Sequence, residues 1–139
     1  MNDSLAIILI LILVLLISLV GWLVIRQISW NRLKNVAGLV NLDAAEFQKE
    51  VADLSGKILI DVREVAEVQQ GYIPGATHIP VGQIAERLNE VPKDRKVLLY
   101  CRGGVRSGKA GKVLLENGYT KVAHLSGGIN VWTGPVKKD

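Results

Sequence analysis

The hydrophobic pattern divides the chain into an apolar N-terminal block and a longer region of mixed composition. Residues 5–25, LAIILILILVLLISLVGWLVI, contain no charged side chain. At about 1.5 Å per residue, a helix of this length spans roughly 31 Å, the thickness of a bilayer's hydrocarbon core. The pattern therefore predicts an N-terminal tail (1–4), one transmembrane helix (5–25) and a juxtamembrane linker (26–38).

The mixed region alternates between strand and helix patterns. A D-x-x-E capping box at Asp43 and Glu46 predicts a helix that ends near Gly56. Apolar runs indicate buried strands, and other segments have the pattern of helices. The predicted strands are 57–62, 96–100 and 122–125, the further helices are 83–91 and 107–117, and 71–80 is a turn-rich loop. This order predicts an α/β fold with a mostly parallel central sheet and helices on both faces.

The flanks of the apolar block favour a membrane anchor over a cleaved signal peptide. The four residues before it include Asp3 and no basic residue, and no small-residue cleavage site follows it. Basic and aromatic residues lie at its other end, namely Trp22, Arg26, Trp30, Arg32 and Lys34. The positive-inside rule then predicts a single-pass protein of the cell membrane, with its N-terminus outside and the following domain in the cytoplasm.

Composition and charge exclude several classes of protein. The chain has 139 residues, of which 49% are hydrophobic, and its only cysteine cannot form an internal disulfide. About 105 residues follow the apolar block, enough for one small core but not for a multidomain enzyme. The net charge of +4 does not indicate a nucleic-acid partner, because no basic run carries interleaved aromatic residues.

The candidate chemistry concentrates in one loop, CRGGVRS at 101–107, between a predicted strand and a predicted helix. Ligands of open α/β sheets bind at the carboxyl ends of strands, where this loop lies. Its glycines allow the backbone N–H groups to form an anion nest, and the helix N-terminus adds partial positive charge. Because Arg102 and Arg106 add full charges, we expect the pKa of the Cys101 thiol to lie below its usual value of about 8.5. A thiolate of this kind is a nucleophile.

The loop at 101–107 has two other interpretations, a buried structural cysteine and a phosphate-binding loop. A lone cysteine at a strand end is more often a small buried hydrophobe, although the flanking arginines and glycines favour a reactive thiolate. Residues 103–109 also read G-x-x-x-x-G-K, but Ala110 stands where a phosphate-binding loop needs Ser or Thr.

His78 and His124 have no second ligand at metal spacing, so we expect no metal or other cofactor.

Four motifs, in order, resemble the rhodanese superfamily over about residues 39–134. They are DVRE at 61–64, GYIPGA at 71–76, CRGGVRS at 101–107 and SGGINVW at 126–132. The resemblance implies a rhodanese-like domain at 39–134, followed by a C-terminal tail at 135–139. The sequence departs from the family pattern at Val65, Val68 and Tyr72, where Pro, Phe and His are usual, and none of these positions lies in the loop at 101–107.

The resemblance implies a thiosulfate sulfurtransferase-like enzyme. In this family the cysteine takes the outer sulfur of a donor, becomes a persulfide and passes the sulfur to cyanide or another thiophilic acceptor. By this resemblance Cys101 is the catalytic nucleophile, and Arg106 is the catalytic residue that closes the loop. The resemblance also implies that the substrate is bound by Arg102, Gly103, Gly104, Val105 and Ser107. Asp61 and Arg63 either support the neighbouring loop or pair only as structural charges.

Loop length separates this pattern from cysteine phosphatases of related fold. Those enzymes use Cys-x5-Arg to surround a phosphate, whereas Cys101 and Arg106 form the shorter Cys-x4-Arg.

The expected partners are a small sulfur-donor anion, a thiol or cyanide acceptor and the lipid bilayer, with a thiol-carrying or membrane protein as a further candidate acceptor. An alternative function is a membrane-tethered sulfur-carrier, sensing or docking module with little small-molecule turnover.

Overall fold

The computed structural model describes residues 2–34 and 38–139, without side-chain detail for 28–34, and the chain forms two compact units, Met1–Val36 and Ala37–Asp139. The first unit contains one α-helix, α1 (Asp3–Lys34). Within it, Asp3–Gln27 is long and apolar enough to cross a membrane, by length and composition. The helix continues into the segment predicted as a linker. Residues 35–37 and the side chains of Trp30, Arg32 and Lys34, used for the orientation prediction, lie outside the described part.

The second unit is built on one parallel sheet. Its strands are β1 (Leu39–Leu42), β2 (Lys57–Asp61), β3 (Thr77–His78), β4 (Lys96–Tyr100) and β5 (Val122–Leu125). Its α-helices are α2 (Ala44–Ala52), α3 (Val65–Val68) and α4 (Val105–Glu116). All strand pairs are parallel, in the order β1-β5-β4-β2-β3. β4 is therefore the central strand, and its carboxyl end lies near the middle of one sheet edge.

Alternate side chains of β4 supply two hydrophobic layers, one on each face of the sheet. Val97 and Leu99 pack in the layer that includes Leu114 of α4. Leu98 packs in the other layer with Phe47 of α2. Because both faces are covered, the interior strands are apolar throughout rather than alternating. This arrangement confirms the predicted α/β fold with helices on both faces.

The predicted helix over 83–91 is wrong. The segment forms two 3-10 turns instead, Val81–Gln83 and Leu88–Glu90. Most backbone bonds here span three residues, as from the N–H of Val91 to the carbonyl of Leu88, and a four-residue bond joins the N–H of Arg87 to the carbonyl of Gln83. The next residue, Pro92, lacks an N–H with which a helix could continue. The apolar side chains of this segment still pack in the core, since Ile84 is fully buried and Val91 is 3% exposed. The periodicity identified the buried side chains but not the backbone conformation.

Smaller differences concern the ends of elements. α4 begins at Val105, two residues before the predicted start, so the loop contributes directly to the first turn of the helix. The sequence did not reveal β1, whose Asn41 interrupts a short apolar run, or α3, which is a single turn. It also did not reveal the two-residue strand β3, which lies within the predicted loop at 71–80. The capping box of α2 is confirmed: the Asp43 carboxylate accepts the N–H of Glu46, and the Glu46 carboxylate accepts the N–H of Asp43.

Candidate active site

Cys101 lies at the carboxyl end of the central strand, where the chain turns into α4. The turn requires Gly104, which has a φ of +101° and whose added Cβ would lie 3.0 Å from the Gly127 nitrogen. This conformation directs the Gly104 N–H at the Cys101 Sγ, at 3.1 Å. The Ser107 N–H, in the first turn of α4, points at the same sulfur from 3.3 Å. The loop therefore forms a nest of donors around the sulfur.

Burial and hydrogen bonding act in opposite directions on the thiol. Cys101 is only 1% exposed, and burial raises the pKa of its thiol. The Ser107 hydroxyl, 3.5 Å from Sγ, and the N–H groups of Ser107 and Gly104 lower that pKa because they stabilise the thiolate. The hydrogen bonds prevail, so the pKa of Cys101 lies below its usual value. The sulfur is thus buried, and its thiolate is more favoured than that of an ordinary cysteine.

Arg106 is held by a residue that the sequence did not single out. Its two terminal nitrogens bond to the two carboxylate oxygens of Glu67, at 2.6 and 2.7 Å. The Arg106 guanidinium holds the pKa of Glu67 down at about 2. The only local signal for Glu67 was its place three residues after Glu64, where its carboxylate accepts the Glu64 N–H at 2.9 Å. Nothing in that local pattern indicates a bond to Arg106.

Asp61 and Arg63 form a buried ion pair at the end of β2. The Arg63 Nε lies 3.0 Å from one Asp61 oxygen, and its Nη2 lies 2.7 Å from the other. Arg63 also donates to the backbone carbonyl of Gly71 at 2.7 Å, and its guanidinium lies 5.5 Å from the centroid of the Tyr100 ring. These contacts tie β2 to the segment that carries Glu67. The Arg63 guanidinium thus links Asp61 to the segment that bears Glu67, the partner of Arg106.

The closing motif at 126–132 packs directly against the loop. The N–H of Ile129 donates to the Cys101 carbonyl at 2.8 Å, and the N–H of Asn130 donates to the Arg102 carbonyl at 3.1 Å. Gly128 makes this approach possible, because an added Cβ would lie only 2.3 Å from the Arg102 carbonyl oxygen. The glycine of the motif is thus required by close backbone contact.

A cavity of about 300 Å³ opens beside the loop. Its lining includes Arg63, Glu67, Arg102, Asn130 and Val136. Among the described residues no carboxylate is paired with Arg102, whereas Arg63 and Arg106 each have one. Arg102 is therefore the uncompensated positive charge on this wall, which suits a small anion.

The remaining predicted site residues differ in their exposure. Gly103 is exposed, and an added Cβ there would meet nothing within 4 Å. Val105 is 70% exposed at the start of α4, so its side chain is available to a ligand or partner rather than to the core. Ser107 is fully buried beside the sulfur. The loop therefore presents a buried reactive end and an exposed outer end.

Sequence reasoning considered His124 only as a metal ligand and missed its position behind the loop, on β5. The Ser107 Oγ lies 2.8 Å from the His124 Nδ1, and the His124 Nε2 bonds to the side-chain oxygen of Asn41. Burial lowers the pKa of His124. Over residues 2–34 and 38–139 no group of three His, Cys, Asp or Glu side chains is arranged to hold a metal ion.

Comparison with known proteins shows similar sequences and folds. Residues 43–135 match the family described as the rhodanese-like domain. A sulfurtransferase of Allochromatium vinosum is 42% identical over 91 residues, covering 66% of this chain and 85% of that protein. The putative sulfurtransferase YtwF of Bacillus subtilis is 43% identical over 79 residues, covering 57% of this chain and 76% of that protein. The crystal structure of a rhodanese-like domain protein from Staphylococcus aureus has a TM-score of 0.65 at 29% identity, covering 72% of this chain and 98% of that one.

Proposed function

Because the chain belongs to the rhodanese-like domain family, we propose that it is a sulfurtransferase that carries sulfane sulfur as a persulfide on Cys101. The observation that carries this proposal is the pair of N–H donors, from Gly104 and Ser107, at 3.1 and 3.3 Å from Sγ. Donors at these positions stabilise a thiolate and, after sulfur uptake, the charge of the persulfide. As the chain's only cysteine, Cys101 is also its only possible persulfide site.

The proposed reaction consists of two displacements at sulfur. In the first, the Cys101 thiolate attacks the outer sulfur of thiosulfate, a new Sγ–S bond forms, and sulfite leaves with the electron pair of the broken S–S bond. In the second, cyanide or an acceptor thiolate attacks the terminal sulfur of the persulfide, and Cys101 leaves as a thiolate. A persulfide donor reacts in the same way, with a thiolate as its leaving group. Two easier steps thus replace one direct transfer.

The remaining loop residues have different proposed roles, which follow from their charge or from the backbone conformation that they allow. Arg102 attracts the anionic donor into the cavity, because its charge has no carboxylate partner among the described residues. Gly103 and Gly104 supply the tight turn, and Val105 and Ser107 begin the helix whose N-terminus faces the sulfur. Arg106, held by Glu67, closes the ring of residues around the cysteine.

The N-terminal helix is proposed to anchor this activity to a membrane. Asp3–Gln27 is long and apolar enough to span a bilayer, and the basic residues Arg26, Arg32 and Lys34 follow the apolar run. The positive-inside rule then places the sulfurtransferase domain in the cytoplasm. A donor or acceptor at the inner face of the membrane would be within reach of the domain.

Steady-state turnover of thiosulfate and cyanide by the full chain in detergent tests the proposal. We expect thiocyanate formation that saturates with thiosulfate and disappears in Cys101→Ser. Lys138→Ser, at an exposed position of the C-terminal segment, is the matched control and should keep the full rate. A rate that survives Cys101→Ser would contradict the proposal. Slow turnover of a readily formed Cys101 persulfide would instead favour the membrane-tethered carrier or docking module.

A further inference from the structure

A buried chain of hydrogen bonds extends from Cys101 through three further side chains. The Cys101 Sγ lies 3.5 Å from the Ser107 Oγ, which lies 2.8 Å from the His124 Nδ1. The His124 Nε2 bonds in turn to the Asn41 Oδ1. The four residues come from three strands and one helix, at the end of β4 and within α4, β5 and β1. This series of hydrogen bonds thus crosses the sheet from its central strand to its outer strand β1.

The chemistry of the end groups sets the direction of the hydrogen bonds. An amide oxygen can only accept, so the His124 Nε2 carries a proton and donates it to Asn41. In the neutral imidazole the Nδ1 is then an acceptor. The Ser107 hydroxyl donates to it at 2.8 Å in preference to the Gly104 carbonyl, which lies farther away at 3.2 Å. The Ser107 oxygen is left with a lone pair toward Cys101, where it accepts the S–H. In the thiol form, the side-chain donors of this series therefore point away from the sulfur, while the backbone N–H groups of Gly104 and Ser107 point at it.

Burial isolates this series of hydrogen bonds from water. Ser107 is 0% exposed, Cys101 1% and His124 7%. The His124 ring also faces Gly108 of α4, at 3.7 Å from the position of an added Cβ. The neighbours that the structure gives His124 are uncharged on each of the packed elements, namely Ser107 and Gly108 of α4, Asn41 of β1 and Leu99 of β4. Cys101 is therefore the titratable group to which the charge of His124 is most directly linked.

On the basis of the proposed sulfur transfer, we propose that His124 is a positioning residue that takes up the Cys101 thiol proton through the Ser107 hydroxyl. The S–H proton moves to the Ser107 Oγ while the Ser107 hydroxyl proton moves to the His124 Nδ1. The products are a thiolate, a neutral hydroxyl that now donates to the thiolate, and an imidazolium. Because burial by itself lowers the pKa of His124, the imidazolium depends on the thiolate that forms with it on the other side of the Ser107 hydroxyl. No proton is gained or lost overall. The reversal of the Ser107 hydroxyl adds a third donor to the nest at the moment when charge appears on sulfur.

The same relay serves both halves of the reaction. While the sulfur is held as an anionic persulfide, the imidazolium keeps the proton and balances the negative charge across the buried hydroxyl. When the acceptor removes the terminal sulfur, Cys101 is released as a thiolate and the proton can return from His124. Asn41 takes part because its oxygen accepts from Nε2–H in both states of the ring and so holds the ring in place.

The first test is the thiolate absorbance of the full chain in detergent, followed against pH. His124→Asn keeps an amide atom near the position of Nδ1 but cannot take up a proton. We expect its thiolate midpoint to rise by about one pH unit, a tenfold loss of thiolate below the midpoint. His78→Asn is the matched control, because His78 bonds to the Arg63 carbonyl outside the relay. An unchanged midpoint in a folded His124→Asn protein would overturn the proposal.

The second test is nitrogen NMR of the two histidine side chains at neutral pH, which needs no sulfur donor. We expect His124 to be partly imidazolium in the free-thiol protein and neutral after alkylation of Cys101. A neutral ring in both samples would overturn the relay while leaving persulfide formation intact. If His124→Asn does not fold, Asn41→Asp gives the complementary result, since a carboxylate opposite Nε2 should favour the imidazolium and lower the thiolate midpoint. A midpoint that fails to fall would contradict the relay.

Discussion

The Glu67 carboxylate holds the Arg106 guanidinium through two hydrogen bonds, at 2.6 and 2.7 Å. Glu67 is itself fixed, because its carboxylate accepts the Glu64 N–H and its backbone carbonyl accepts from Arg63. Arg63 is in turn paired with Asp61 at the end of β2. Two ion pairs in series therefore connect the sheet to the arginine of the cysteine loop. The position of Arg106 depends on residues that contact no part of the sulfur.

Glu67→Gln should remove a pH-dependent part of the stability. The folded pKa of Glu67 is about 2, below the ordinary value of 4.5, so its charged form is favoured in the folded state. The carboxylate therefore stabilises the fold fully above pH 4.5, and this contribution is lost as pH falls toward 2. Denaturant unfolding at several pH values should show a wild-type advantage over Glu67→Gln that shrinks across this range. An advantage that stays constant would contradict the assignment.

Arg63→Met should destabilise the domain by about 3 kcal/mol, because it leaves the buried Asp61 carboxylate without its partner. The double variant Asp61→Asn with Arg63→Met removes both charges and should lose less than the two single variants added together. Denaturant unfolding of all four proteins gives the coupling energy. Additive losses would show that the two side chains stabilise the fold independently.

Gly128→Ala should disrupt the cysteine loop. Its Cβ would lie 2.3 Å from the Arg102 carbonyl oxygen, and its φ of +63° disfavours a side chain. We expect a loss of about 2 kcal/mol in unfolding free energy, together with a large loss of sulfur transfer. Gly82→Ala is the control, because its Cβ meets nothing within 4 Å and its φ is ordinary. Equal effects of the two substitutions would show that close contact is not what requires Gly128.

Membrane orientation can be measured with a single engineered cysteine. Because Cys101 is buried, labelling should use Cys101→Ser carrying either Asn2→Cys or Lys138→Cys, both at exposed positions. A membrane-impermeant thiol reagent should label Asn2→Cys on intact cells and Lys138→Cys only after lysis. The reverse pattern would place the domain outside. Recovery of both proteins in the soluble fraction would contradict the anchor itself.

The interior strands β2, β4 and β5 and the cysteine loop could be predicted because their signals are local, whereas the short edge strands β1 and β3 were not predicted. The central strands are apolar along their whole length, as both faces are buried, and each ends at a recognisable charged or glycine-rich turn. In the loop the cysteine, the glycines and Arg102 are consecutive in the chain, so the sequence alone places them together. The N-cap at Asp43 is equally local, since its partner is three residues away.

The residues that position the loop could not be predicted because their partners are distant in sequence. Glu67 is separated from Arg106 by 39 positions, and His124 from Ser107 by 17. Each contact exists only because parallel strands bring their carboxyl ends together, a result of the strand order. The error over 83–91 has a different cause, since the apolar spacing suited a helix whereas Pro92 and short three-residue bonds favoured separate turns.

Whether Cys101 carries the sulfur can be read from the intact mass of the full chain. The protein in detergent is incubated with millimolar thiosulfate beside Cys101→Ser, and each sample is then divided and treated with or without cyanide. We expect a gain of one sulfur atom in the wild-type chain, removed by cyanide and absent from Cys101→Ser. An unchanged wild-type mass would contradict a thiosulfate-derived persulfide, and a sulfur adduct that persists in Cys101→Ser would contradict the role of Cys101.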